Sequence, residues 1–327
     1  MGKVTIKDVA REAGVSISTV SNALNGVDVL KPETREHILE VAERMNYIPD
    51  WKGKSLKSKT TNTIGLFVPS IKGTYFGVLA DSMYEECEKW GYELNIYISY
   101  KEMTMMTNIL GRRVDGAVIL FEGVNEEHVN LLKEEGIPTV FLDREIADEK
   151  ISSVLFDSYH QGMLAAEYLL KKGFTHIGHI MGPEKNYDGI ERLRGFRDTL
   201  EGAGIELRAE DIIAGGFDRD VTYRNMKELL EGGYQPPQAI FAANDLSAIG
   251  CLEALKEANI RVPEQVKIMG CDDIEMSELY RPSLTTIRTS FEKQGVIAVR
   301  LLVEMLNKKK KGSMEKLEGK LVVRESC

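Results

Sequence analysis

Near the amino terminus, the stretch from Lys7 to Asn22 restricts what this chain can fold into more than any other. Thr5 is followed three residues on by Asp8, a capping-box spacing with Asp in place of the usual Glu. Val9, Ala10 and Ala13 recur at helical spacing and make a small apolar face. Gly14 then ends the helix, because a positive φ is cheap only for glycine. Ser16 caps a second helix, and Val20 and Leu24 pack it back on the first. Two helices across a short glycine-bearing turn make a helix-turn-helix, the form that sets its second helix in the DNA major groove. Ile17, Ser18, Ser21 and Asn22 point outward on this reading. Asn pairs bidentately with adenine, Ser bonds base edges or phosphates, and Ile meets a thymine methyl. The same four residues would also suit the solvated face of a small bundle.

Longer motifs separate the two readings. Residues 4–10 (Val-Thr-Ile-Lys-Asp-Val-Ala), Gly14-Val15-Ser16 and 19–25 (Thr-Val-Ser-Asn-Ala-Leu-Asn) resemble the amino terminus of the lactose-repressor (LacI/GalR) family of bacterial transcription regulators. The match resumes at Lys31-Pro32-Glu33-Thr34-Arg35 and at Asn46-Tyr47-Ile48-Pro49. The resemblance implies DNA contacts from Thr5, Ser16, Ile17, Ser18, Thr19, Ser21, Asn22 and Asn25. It also implies that the basic segment after Pro49 is a hinge helix that orders on DNA. In that segment Leu56 matches the family's minor-groove wedge, and Lys54 would meet phosphate. Asp50 and Gly53 depart from the family's usual Asn and Ala. Gly53 costs a helix about 1 kcal/mol, so the hinge should depend more on DNA to order.

The charge balance agrees once it is read locally. The net charge is −9, but residues 1–60 carry +2 and the remainder −11. Phosphate attraction acts within roughly 8 Å at physiological salt, so a small basic face on an acidic body can bind DNA. The four cysteines show neither CxxC pairing nor metal-ligand spacing, which fits a reducing cytoplasm. No secretory signal is expected at the amino terminus, and no run approaches 18 apolar residues.

In the third helix Pro32 suits the first turn, and Ile38, Leu39, Val41, Ala42 and Met45 are expected to face inward. From Thr63 the texture becomes alternating strand and helix. Strands are expected at 64–68, 93–98, 117–120, 139–142 and 153–156, then at 177–181, 212–214, 239–242 and 266–270. Such alternation implies parallel sheets covered on both faces. The expected fold class is therefore a small all-α helix-turn-helix head on an α/β core of two doubly wound parallel-sheet subdomains. The resemblance implies a core like the type I periplasmic binding proteins, crossed three times by the chain. The expected divisions are a DNA-binding domain at 1–48, a hinge at 49–61 and an effector and dimerisation domain at 62–327. The last splits into an N-subdomain (about 62–157 and 291–320) and a C-subdomain (about 158–290 and 321–327). The lysine run at 308–311 reads as a solvated loop.

Ligands of open α/β sheets sit beyond the carboxyl ends of the strands. That rule selects Asp143 and Arg144, Asn244 and Asp272. The resemblance adds Arg192, in an Arg-x-x-Gly-Phe motif, with Tyr75, Phe76 and Phe291. Residues 70–74 depart from the family's usual Asp-Ile-Ser-Asn-Pro. Carboxylates, guanidinium groups, an amide and aromatic faces suit a neutral polyol such as a sugar. Each has a plain structural reading too, since Asp after a strand often caps a helix and Arg often pairs with it. His176 and His179 fall on opposite strand faces and would not share a metal. No phosphate loop, nucleophile elbow or other catalytic constellation is present, and no cofactor is expected.

The expectation is a cytoplasmic homodimeric repressor, not an enzyme. It would bind near-palindromic operator DNA and answer to a small carbohydrate, with a protein co-effector left open. A sugar transport receptor and a sugar enzyme are the alternatives. The absent signal and the helix-turn-helix oppose the first, and the missing phosphate loop and acid–base pair oppose the second.

Overall fold

The computed structural model describes residues 4–24, 27–48, 60–146 and 148–327. Its contacts divide it into two units, Met1–Thr61 and Asn62–Cys327.

In the first unit, α1 (Ile6–Glu12) opens on Thr5, whose backbone N–H and hydroxyl both donate to Asp8 Oδ2, at 3.0 and 2.6 Å. Gly14 takes φ +67° and turns the chain. Ser16 Oγ accepts the Thr19 N–H at 3.1 Å and so caps α2 (Ile17–Leu24). α3 (Pro32–Arg44) closes the head, where Ile38, Val41 and Ala42 are buried with Val9, Ala10, Ala13, Val20 and Ala23. Leu39 departs from the expected stripe and is 43% exposed. It lies about 100° round the helix from Ile38, off the face that 38, 41, 42 and 45 share.

The second unit begins with β1 (Thr63–Val68), α4 (Thr74–Trp90), β2 (Glu93–Ile98), α5 (Glu102–Leu110), β3 (Gly116–Ile119), α6 (Glu126–Glu134), β4 (Thr139–Phe141) and β5 (Ile151–Phe156). Successive strand residues alternate faces. Ile64, Leu66 and Val68 therefore pack in one core with α4, while Phe67 joins Ile119 and Phe141 in the core under α5 and α6. The chain then crosses at Asp157 into α7 (Ser158–Lys171), β6 (Ile177–Met181), α8 (Tyr187–Gly202), β7 (Ile212–Ala214), α9 (Arg219–Glu231), β8 (Ala239–Ala242), α10 (Asp245–Glu257) and β9 (Lys267–Met269). A short α11 (Glu275–Leu279) and β10 (Thr286–Arg288) follow. Thr289–Ser290 make the second crossing, into α12 (Phe291–Leu306) and β11 (Met314–Leu317). Glu318–Gly319 make the third, into β12 (Lys320–Val322).

Two parallel sheets result. One has six strands in the order β11-β5-β4-β3-β1-β2, and the other has four in the order β7-β6-β8-β9. β10 and β12 form a separate antiparallel pair. The last three strands were not expected from the sequence. They are only three or four residues long and carry Glu315, Lys316, Lys320 and Arg288 among their apolar residues. A strand is recognised by an apolar run or by alternation sustained over about four to eight residues, and segments this short and charged show neither. The lysine run at 308–311 is an exposed loop. Among the described residues no helix is long and apolar enough to cross a membrane.

Candidate nucleic-acid head and effector cavity

α2 buries Val20 and Ala23 and turns its other side out. Ser16, Ile17 and Ser18 are exposed at its start, and Thr19, Ser21 and Asn22 are half-buried along its flank. Several of these groups are already engaged in the free head. The Ser16 hydroxyl lies 2.7 Å from both Ser18 Oγ and Thr19 Oγ1, and the Thr5 hydroxyl is held by Asp8. These hydroxyls fix the start of the helix, and a phosphate or base edge would have to share them. Asn25, Lys54 and Leu56 lie outside the described residues.

In the second unit a cavity of about 210 Å³ opens between the two sheets' carboxyl ends. Tyr75 and Phe76 reach it from the first turn of α4, Phe156 from the end of β5, and Phe291 from the start of α12. Tyr75 meets Phe291 edge-on with centroids 4.9 Å apart, and Phe291 meets Phe156 at 5.8 Å. The Tyr75 hydroxyl donates to Gln294 Oε1 at 2.7 Å, which fixes this aromatic wall. Phe217 faces it from the loop after β7.

Lys72 and Thr74 add polar groups beside the aromatic wall, and the rest of the polar lining comes from the elements after the first crossing. Arg192 is buried on α8; its Nε and Nη2 donate to Gln161 Oε1 at 3.1 and 2.7 Å, and Nη1 donates to the Ala243 carbonyl. Asp188 lies one turn before it on the same helix and accepts from Ser158 Oγ at 2.6 Å. Burial raises the Asp188 carboxyl above its usual range, while Arg192 and the Ser158 hydroxyl oppose the rise. Asp272 takes φ +132° in the middle of the loop after β9. Burial, then the neighbouring Asp245 carboxylate, push it well above the ordinary value, with Arg192 acting the other way. Asp245 itself is held by Ser277 Oγ at 2.6 Å, Thr286 Oγ1 at 2.5 Å and the Ile274 N–H at 3.0 Å, so it secures the loop that carries Asp272. An unequal set of acceptors and donors under aromatic faces can seat a small molecule rich in hydroxyl groups.

Of the residues selected from sequence, Tyr75, Phe76, Arg192, Asn244, Asp272 and Phe291 line this cavity. Asn244 does so with its amide already employed: Oδ1 accepts the Ser247 N–H at 2.9 Å and Nδ2 donates to the Phe217 carbonyl at 3.2 Å. Asp143 and Arg144 are not in the lining. Asp143 accepts from the Phe121 N–H at 3.0 Å and from Arg144 Nε at 2.9 Å. Arg144 donates in turn to the Phe121 and Val124 carbonyls. Their charges are spent fastening the loop after β3 to the end of β4. Sequence reasoning missed Asp188, Asn186, Phe156 and Phe217. Two signals could have found them: Asp188 stands four residues before Arg192 on one helix face, and Phe217 follows a strand end through two glycines. His179 sits between Phe196 and Phe241, 5.4 Å from each ring, and burial depresses it to about 3, so it is neutral. Among the described residues no cluster of His, Cys, Asp or Glu could hold a metal ion.

Comparison with known proteins places both units. Residues 5–50 match the model for bacterial regulatory proteins of the lacI family, and residues 166–327 match the periplasmic binding protein-like domain. Catabolite control protein A of Priestia megaterium is 32% identical over 312 residues, covering 93% of each chain. The HTH-type transcriptional repressor PurR of Pasteurella multocida (strain Pm70) is 32% identical over 329 residues, covering 98% of each. Among solved structures, the lac repressor dimer bound to operator and the anti-inducer ONPF superposes with a TM-score of 0.86 at 26% identity over 99% of both chains. A complex of the transcriptional regulator CelR with cellobiose gives 0.75 at 28% identity, over 99% of this chain and 100% of that one. Joined to the helix-turn-helix head and the two-sheet core, these likenesses show that the chain belongs to the lacI family of bacterial regulatory proteins.

Proposed function

We propose that the protein is a homodimeric repressor of transcription, with α2 of each head in a major-groove half-site of a near-palindromic operator and a carbohydrate in the core cavity as effector. The observation that carries this reading is the pairing, in one chain, of an exposed polar α2 face with an aromatic-walled cavity holding Asp188, Arg192 and Asp272. The solved neighbours support both halves: one is a dimer on operator and the other holds cellobiose. A two-fold dimer matches a two-fold DNA site. The chain offers an apolar edge for such a partner, because β2 ends its sheet with Ile96 and Ile98 exposed, followed by exposed Tyr100 and Met103. An unpaired apolar edge strand invites another copy.

The experiment has two arms. A thermal-shift screen of mono- and disaccharides identifies a ligand, since a compound that binds only the folded state raises its melting temperature. Fluorescence anisotropy with duplexes from the neighbourhood of the gene then measures operator affinity with and without that ligand. The reading expects a stabilising carbohydrate that shifts operator affinity by roughly fivefold or more. A protein that binds duplex but ignores every sugar would contradict the carbohydrate assignment.

A further inference from the structure

Effector control requires that a ligand's pull on the cavity wall reach the three crossings. Gln161 is fully buried on the first turns of α7, and its backbone N–H donates to the carbonyl of Asp157, at the first crossing, at 2.9 Å. Its Oε1 accepts both Arg192 bonds, at 3.1 and 2.7 Å. Its Nε2 donates to Thr289 Oγ1, in the second crossing, at 3.4 Å. Gly319, in the third, packs so closely that a Cβ there would come within 2.9 Å of Gln161 Cγ. The connections also run past it. The Thr289 N–H donates to the Asp272 carbonyl at 3.1 Å, and the Asp157 N–H to the Leu317 carbonyl at 2.9 Å. One buried residue therefore meets a cavity-wall cation and all three segments that join the subdomains, the first through its backbone N–H and the other two through its side chain.

We propose that Gln161 is the positioning residue that transmits occupancy of the cavity to the subdomain crossings. The proposal rests on the effector reading above. A ligand that draws the Arg192 guanidinium inward must lengthen its bonds to Gln161, and the released amide then relaxes its hold on Thr289 and its packing against Gly319. Close packing makes such a rearrangement a choice between two arrangements rather than a gradual deformation.

The test uses amide hydrogen exchange on the full chain without ligand, so its outcome does not depend on knowing the effector. Gln161→Met keeps the length that packs on Gly319 but loses the polar bonds to Arg192, Thr289 and Cys271. Gln161→Glu keeps oxygens for Arg192 and lets the Thr289 hydroxyl donate instead. Thr222→Val removes a fully buried hydroxyl from α9, away from the crossings, and is the control. One net hydrogen bond corresponds to a change of about fivefold in a local opening equilibrium. Gln161→Met is expected to raise exchange by about that factor in all three segments, 157–161, 287–291 and 316–320, while Gln161→Glu and Thr222→Val leave them near wild type. A rise confined to 157–161, or equal rises in the Met, Glu and control variants, would overturn the proposal. Should the Met variant fail to fold, Thr289→Val removes the second crossing's partner for Gln161 Nε2 and must raise exchange at 157–161 as well as at 287–291; an unchanged 157–161 would overturn the proposal. Failure of the effector reading would show separately, as an operator affinity that no ligand alters.

Discussion

Asp272 is held in an uncomfortable state on two counts. Its φ of +132° is one that side-chain-bearing residues avoid, and its carboxyl is pushed well above the ordinary range by burial and by Asp245. A raised pKa in the folded state means that the folded protein binds the proton more tightly than the unfolded chain. The associated stability is present below the unfolded value of 3.8 and is lost as the pH rises through the folded value. Asp272→Asn cannot charge, so the melting temperature of the variant should fall less than that of the wild type as the pH is raised from 4 toward 8. Parallel curves would refute the assignment. The same substitution replaces one carboxyl oxygen of the cavity by an amide NH2 donor, so ligand stabilisation should fall while operator affinity stays intact. In the head, Asn22→Ala should weaken specific binding by about 1–3 kcal/mol at one base position. An unchanged preference across a library of operator sequences would remove Asn22 from base reading.

The element that most determines the cavity is the α7–α8 pair. A Cβ at Gly162 would lie 2.1 Å from the Arg192 carbonyl, and one at Gly195 would lie 2.0 Å from that of Tyr159. Bare backbone at both contacts lets α8 come near enough for Arg192 to reach Gln161. Gly162→Ala should therefore separate the helices, destabilise the core by roughly 1–3 kcal/mol through overpacking, and lower ligand affinity, as calorimetry would report. Gly14→Ala isolates backbone cost in the head, because nothing lies within 4 Å of its Cβ position while φ is +67°. It should cost about 1–2 kcal/mol and show as lower operator affinity with unchanged ligand binding. Elements of this kind were largely legible beforehand. The cap at Thr5, the turn at Gly14 and the apolar strand runs are local patterns with local causes. Leu39 failed because a helical stripe has an edge, and the edge is set by what packs there. β10 to β12 failed because their pairing depends on partners more than 30 residues away in sequence or across a crossing. Asp143 and Arg144 failed for a related reason: the strand-end rule finds the rim of a sheet, but a carboxylate at that rim serves a nearby loop as readily as a ligand.

For the whole molecule, the exposed apolar edge at β2 carries the assembly argument. Ile98 is 53% exposed and Tyr100 75% exposed beyond an edge strand, where a monomer gains nothing from them. Ile98→Lys should shift the sedimentation coefficient from dimer toward monomer and weaken operator binding together with it, leaving the fold's melting temperature within a few degrees. The account's central claim is that this assembled head and the core cavity share one free energy. The most direct measurement is operator affinity by fluorescence anisotropy at zero and saturating ligand, paired with ligand affinity at zero and saturating operator. The account predicts that the two ratios agree and lie at roughly fivefold or more, as linkage requires. A ratio of one in both titrations, from a protein that binds duplex and ligand alike, would contradict it.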